Sequence, residues 1–475
     1  MKSKLILSGI LLICLGQIGF SQNQRPKIIL NGIEPKIDQL AKEYQDLDIF
    51  SGVILVSDHG RPVYHKAFGP ANREKGIVNT LHTKFDIGSM NKTFTHVVIL
   101  KLLEEGRLEL DDRIGKYLDG LLPKASEKVT INQLLTHTSG FGDYLTMEYD
   151  QLPMSEKTLE KVLNRVKGMP LEFEPGSDQR YSNAGFVLLG GIIESVTGKS
   201  YYENVDNIIL TPLGLTETSM KPKKEVENMA TGYYRTVDGK LVSNDGFVEI
   251  PKPDGGFRAT AADILKFYHE FHYGNLLLSH ETKMKDDFFR GIQQYAGTGD
   301  AIPHAGGYPG ANTVKYEILR DNVSIIVFAN MDEPVAEDLG AGILAILRGQ
   351  TPKKPSFPAI QNVYRAYEEN GLDYVESNFW ELIENFHPTD PKGIILDQVG
   401  YFYLRGNMLE KAVEIFALNA KLFGEEDPNV WDSLGEAYLF KGERLKALEA
   451  YKIALRLDPQ FSSAREMVKK IESEN

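Results

Sequence analysis

The sequence predicts a mixed α/β domain of the α+β type, followed by an all-α module of helical repeats. Three observations carry this prediction. Short apolar, strand-like runs occur near residue 55 and again near residues 313–330, with Gly- and Pro-broken helical patterns between them. Pro352, Pro355 and Pro358 then interrupt the chain. Beyond them the composition turns helical, loses its Gly-rich loops and repeats at a spacing of 35. A length of 475 residues accommodates two or three domains. Apolar content of 42% and charged content of 25% are ordinary for a soluble globular protein.

In chain order, residues 1–21 read as a secretory signal peptide. Lys2 and Lys4 form a positive start, Leu5 to Phe20 an apolar run, and Gly19-Phe20-Ser21 a cleavage site before Gln22. The run is shorter than the ~20 residues of a spanning helix. Cys14 follows Ile13, where a lipoprotein site wants a small residue, so it belongs to the discarded segment. The mature chain then has no cysteine, no disulfide and no membrane span, and its place is periplasmic or secreted. Its net charge moves from −13 to −15, which excludes a basic nucleic-acid or anionic-membrane surface.

The first domain, expected over 22–348, opens with a strand at Ser51–Val56, a turn at Asp58-His59-Gly60 and a returning strand from Pro62 to Phe68. A buried helix runs from Ser89 to Glu105, with Val97, Val98, Leu100, Leu102 and Leu103 inside and Gly106 closing it. Residues 107–250 mix helix and loop, and a helix follows Gly255 as far as Tyr273. His269-Glu270-Phe271-His272 is one residue short of the zinc-helix spacing and reads as part of a surface helix. His304 to Gly310 reads as a Gly-rich loop ahead of two strands, Thr313–Leu319 and Val323–Asn330. A helix from Glu337 to Leu347 ends the domain. Residues 349–358 form a Pro-rich linker.

Over 359–475, Leu396, Gly400, Tyr403, Ala412 and Phe416 return as Trp431, Gly435, Tyr438, Ala447 and Tyr451. This pattern resembles the tetratricopeptide repeat. The small residues let paired helices approach and the aromatics fill the gaps. The resemblance implies either a surface for a protein partner or a packing cap.

The chemistry gathers in three short stretches. Ser89-Met90-Asn91-Lys92 is a Ser-x-x-Lys whose two ends share one helix face. A serine hydroxyl needs a neighbouring base to become a nucleophile, and a helix N-terminus favours a developing anion. Tyr181-Ser182-Asn183 offers a phenol as proton shuttle and an amide able to hold both Lys92 and a substrate. His304-Ala305-Gly306-Gly307 has small residues that let backbone amides approach a substrate, the Gly307 amide joining that of Ser89 in an oxyanion hole. No Gly-x-Ser-x-Gly elbow, phosphate loop or dinucleotide fingerprint occurs, and no metal or organic cofactor is implied.

Together these stretches resemble the serine β-lactamase and penicillin-binding-protein family, in the class C branch where the middle motif is Tyr-x-Asn. The resemblance spans about residues 36–348 and extends to Leu134–Gly140, Pro212–Leu215 and Gly255–Asp263. It implies a transpeptidase-like, mostly antiparallel sheet with helices on both faces, a helical lobe, and a site between them. It makes Ser89 the nucleophile, Lys92 and Tyr181 the acid/base pair, and Asn183, His304, Gly306 and Gly307 substrate-binding. The family's class C enzymes carry lysine where this chain has His304, and an imidazole of ordinary pKa ~6.5 is a weaker partner for a substrate carboxylate. A Gly-Leu-Gly-Trp strand of the family is also missing between Phe289 and His304. The His304-x-Gly306 form resembles that of carboxylesterases, D-amino-acid peptidases and some D-Ala-D-Ala carboxypeptidases, and this resemblance implies a carboxylesterase or D-amino-acid peptidase acting on a small-molecule or peptide substrate; the missing strand leaves one wall of the site undefined. The alternatives are a β-lactamase or D-Ala-D-Ala carboxypeptidase, or a non-catalytic cell-wall ligand-binding or scaffold protein.

Overall fold

The computed structural model describes residues 25–246, 250–384 and 392–473, so the expected signal peptide with Cys14 lies outside the described residues. The chain forms two compact units. The first takes in the described chain up to Tyr234 together with Ser243–Pro355, and the second comprises Arg235–Val242 and Ser356–Asn475.

The first unit is built on five strands: β1 (Gly52–Asp58), β2 (Arg61–Phe68), β3 (Ile302–Tyr308), β4 (Ala311–Ile318) and β5 (Val323–Ala329). They form one antiparallel sheet in the order β2-β1-β5-β4-β3. The two strands brought together from distant parts of the chain, β1 and β5, are buried along nearly their whole length. Both of their faces are covered, so they read as continuous apolar runs rather than as alternation.

Helix α1 (Glu34–Asp46) lies beside the C-terminal helix of this unit. Helix α2 (Lys92–Glu104) is buried along most of its length, and α3 (Ile131–Leu135) is short. Helix α4 (Asn183–Thr197) packs on α2 in the helical lobe. Helices α5 (Ala261–Tyr273) and α6 (Val335–Leu347) cover opposite faces of the sheet: Tyr316 of β4 meets α6 at Gly340, while the next residue back, Lys315, meets His272 of α5.

Three expectations change. The helix expected from Ser89 begins with a 3-10 turn, Gly88–Asn91, before α2 proper. Residues 304–310 are an edge strand and its turn, not a loop: backbone pairing with β4 outweighs the poor strand propensity of Gly306 and Gly307. His272 is buried rather than on a surface helix, because it shares with Ile264, Tyr268 and Phe271 the face of α5 that sits on the sheet.

The second unit consists of α7 (Ala359–Asn370), α8 (Leu372–Leu382), α9 (Gly393–Arg405), α10 (Leu409–Phe423), α11 (Pro428–Phe440), α12 (Arg444–Leu457) and α13 (Ser462–Ser473). Consecutive helices pack in pairs. A Cβ on Gly400 would lie 2.6 Å from the Phe416 ring, and one on Gly435 2.9 Å from the Tyr451 ring. The 35-residue repeat is thus a repeat of one contact, a glycine on one helix facing an aromatic ring on its partner. The α7–α8 pair and the Arg235–Val242 hairpin carried no repeat signature. Val237 of that hairpin packs on the helical core, and its Thr236 carbonyl accepts a hydrogen bond from Gln361 Nε2 at 3.1 Å.

Candidate active site

Ser89 stands on a turn that the backbone around it holds rigid. Asp86 Oδ1 accepts from the Gly88 amide at 2.9 Å, and the Ile87 amide donates to the Phe257 carbonyl at 2.9 Å. Gly88 takes a left-handed φ of 48°, open to glycine at little cost. The turn leads straight into α2, so the half-buried Ser89 hydroxyl lies at the positive end of that helix.

Lys92 follows one 3-10 turn later, where side chains three apart eclipse. Its Nζ donates to Ser89 Oγ at 3.2 Å, to Asn183 Oδ1 at 2.7 Å and to the Asp254 carbonyl. These three acceptors match the three N–H bonds of an ammonium. The Tyr181 hydroxyl donates to Ser89 Oγ at 2.7 Å, and Lys92 Nζ lies 4.9 Å from the centre of the Tyr181 ring. Asn183 is oriented from behind, its Nδ2 donating to Asp143 Oδ2 at 2.6 Å, which turns Oδ1 toward Lys92. Ser182 caps α4 by accepting from the Gly185 amide at 3.1 Å. The cap sets where α4 begins, and so where Tyr181 and Asn183 project.

The edge strand β3 closes on the Ser89 turn through glycine. A Cβ on Gly306 would lie 2.2 Å from the Ile87 carbonyl oxygen and 2.6 Å from the Ser89 amide nitrogen. One on Gly88 would lie 2.5 Å from the Gly307 amide nitrogen. Two glycines, Gly88 and Gly306, therefore let the Ser89 and Gly307 backbones come together.

The structure brings together Ser89, Lys92, Tyr181, Asn183, Gly306 and Gly307. His304, expected to bind substrate, is placed otherwise, with its ring buried. It is only 3% exposed, with its ring 5.0 Å from Tyr268 and 5.7 Å from His272. Burial, with Lys315 opposite it in the β3–β4 register, pushes its pKa well below the usual value. It is a neutral core group, not a cation presented to a substrate carboxylate. Lys315 is itself fully buried and paired with Glu317 at 2.7 Å.

Sequence reading missed the Asp254 carbonyl, Asp143 and His137. The flanking stretches Leu134–Gly140 and Gly255–Asp263 marked the neighbourhood, but no spacing signals a backbone carbonyl. Among the described residues no group of His, Cys, Asp or Glu is arranged to hold a metal ion, and no helix is long and apolar enough to cross a membrane.

A family model described as Beta-lactamase matches residues 37–349. Penicillin-binding protein 4* of Bacillus subtilis is 25% identical over 347 residues, covering 65% of this chain and 75% of that protein. Esterase EstB of Burkholderia gladioli is 31% identical over 237 residues, covering 47% of this chain; the chain spans 59% of that protein's length. The crystal structure of a penicillin-binding protein from Bacillus halodurans matches with a TM-score of 0.57 at 28% identity, covering 65% of this chain and 99% of that one.

Proposed function

This chain belongs to the Beta-lactamase family, and on that premise we propose that it is an exported serine hydrolase of the carboxylesterase or D-amino-acid peptidase type, working through an acyl-enzyme on Ser89. The observation that carries the reading is the Ser89 hydroxyl held between Tyr181 OH at 2.7 Å and Lys92 Nζ at 3.2 Å. The reacting form of the Lys92–Tyr181 pair holds one proton fewer than this hydrogen-bonded arrangement, leaving the Tyr181 oxygen beside Ser89 free to accept; Ser89 Oγ then bonds to the carbonyl carbon of an ester or amide while its proton passes to that oxygen. The amides of Ser89 and Gly307 take the oxyanion. The tetrahedral intermediate collapses, the C–O or C–N bond breaks, and the departing alcohol or amine takes the proton. Water, deprotonated by the same pair, then releases the acid and frees Ser89.

The substrate class rests on the third motif. A neutral, buried His304 offers no charge to the carboxylate of a β-lactam or a C-terminal D-alanine. The resemblance to an esterase supports the same side. A β-lactamase or D-Ala-D-Ala carboxypeptidase is the second reading, supported by the likeness to penicillin-binding proteins. A non-catalytic cell-wall ligand-binding role would leave the contacts on Ser89 without purpose. Residues 1–21 act in this reading as the export signal, and the tetratricopeptide-like helices 359–475 dock a protein partner.

Hydrolysis of a short-chain aryl ester, a D-Ala-D-Ala peptide and a chromogenic cephalosporin, each with a Ser89→Ala control, tests the proposal. The expected order of kcat/KM is ester, peptide, cephalosporin. A dominant cephalosporin rate overturns the substrate class, and near-normal rates for Ser89→Ala overturn the mechanism.

A further inference from the structure

Tyr181 lies ahead of its helix, before the extended N-cap Ser182, so α4 alone does not fix its phenol. What holds it is one residue on a different segment. The amide of Arg180 donates to the His137 carbonyl at 3.0 Å, and the amide of Ser182 donates to His137 Nδ1 at 3.1 Å. His137 thus accepts from the backbone N–H groups of the two residues that flank Tyr181 in sequence. Its ring also lies against the phenol, with centroids 4.7 Å apart and planes 29° from parallel. The far side of this cluster is closed by Phe186 of α4, 5.4 Å from the imidazole.

The backbone at His137 carries the cost of this arrangement. Its φ is +58°, a left-handed conformation rare for a residue with a Cβ. That turn sends the carbonyl toward Arg180 and the side chain toward Ser182 at once. The contact also requires a neutral ring, since a protonated Nδ1 would point a hydrogen at the Ser182 amide. Burial, reinforced by the nearby Lys92 charge, lowers the His137 pKa to about 3, so the ring stays an acceptor throughout the neutral range.

We propose that His137 is a positioning residue for Tyr181, holding the amides on either side of it and backing its ring so that the phenol oxygen stays on Ser89 Oγ. The inference rests on the reading of Ser89 and Tyr181 as reacting groups. It assigns His137 no proton transfer and no contact with substrate.

The test is a double-mutant cycle on the full chain, read as the rate of covalent labelling by a fluorophosphonate at saturating and sub-saturating probe. His137→Asn suits the left-handed backbone and removes the ring. It is expected to lower the maximal labelling rate about 10- to 100-fold, with the half-saturating probe concentration changed less than about two-fold. In a Tyr181→Phe background the same substitution is expected to change the rate less than about two-fold, because the group it positions is gone. His137→Gly, with no Cβ to strain, should behave like His137→Asn and guards against a misfolded variant. Equal losses in both backgrounds, or a loss confined to probe affinity, would overturn the positioning role while leaving the hydrolase reading intact. Absence of labelling at Ser89 in the unmutated protein would instead overturn the hydrolase reading, and the inference with it.

Discussion

Ser89 is flanked by a phenol and an ammonium, and the consequences of removing each partner differ. Lys92 is almost fully buried and binds three acceptors, so Lys92→Ala removes the charge beside Ser89 and strands Asn183 Oδ1 and the Asp254 carbonyl. A loss of about 10³-fold or more in acylation rate is expected, since members of such a unit act together. Rapid-mixing kinetics on an aryl ester would measure it, and a loss under ten-fold would remove Lys92 from the mechanism. Gly306→Ala tests the backbone side of the site. Its Cβ meets the Ile87 carbonyl and Ser89 amide, atoms that cannot move without moving the nucleophile. We expect about 1–3 kcal/mol of destabilisation, read by thermal unfolding, together with a slower acylation. At this scale the sequence was legible where identity and short spacing decide the outcome. Ser-x-x-Lys and Tyr-x-Asn bring their own geometry, the first through a turn and the second through a helix cap. His304 was not legible, because strand pairing decides which face a residue takes, and pairing places it opposite Lys315 in the core.

Among the elements, β3 and α6 show how neighbours override local preference. A stretch reading Ala-Gly-Gly becomes a strand because β4 supplies its hydrogen bonds and because only glycine fits against the Ser89 turn. On α6, Glu337 is buried over the sheet. Asn312 Nδ2 donates to its Oε1 at 3.1 Å, and burial raises its pKa to about 7. The neighbouring Asp338 charge opposes ionisation further. In the unfolded chain the Glu337 carboxyl ionises near the ordinary glutamate value of 4.5, while in the folded chain it stays protonated until about 7. The unfolded state therefore binds fewer protons over that interval, and stability falls as pH rises through it. Glu337→Gln should flatten this decline and be the more stable protein at pH 8, by on the order of 1–3 kcal/mol. Urea titrations of both proteins at pH 5 and pH 8 measure the difference. An unchanged pH dependence would place the decline elsewhere, with Asp338 the first group to examine.

The whole molecule comprises two compact units, and the division predicts independent responses. The helical unit depends on glycine facing an aromatic ring, so Gly435→Leu, which drives a side chain into Tyr451, should destabilise that unit by about 1–3 kcal/mol. Calorimetry should show its transition lowered, while the rate of Ser89 labelling at 25 °C is unchanged. A fall in labelling would tie the repeats to the site. The mixed α/β domain and the repeated helices were legible from periodicity and from one 35-residue echo. The Arg235–Val242 hairpin was not: eight residues carry too little pattern to announce that they pack with helices more than a hundred positions away. The account stands or falls on an activated serine. The measurement that reaches it most directly is intact mass after treatment with a fluorophosphonate, on the unmutated protein and on Ser89→Ala. A single adduct on the former, mapped to Ser89, and none on the latter is the predicted result. An unmodified unmutated protein, or an adduct that survives Ser89→Ala, would contradict it.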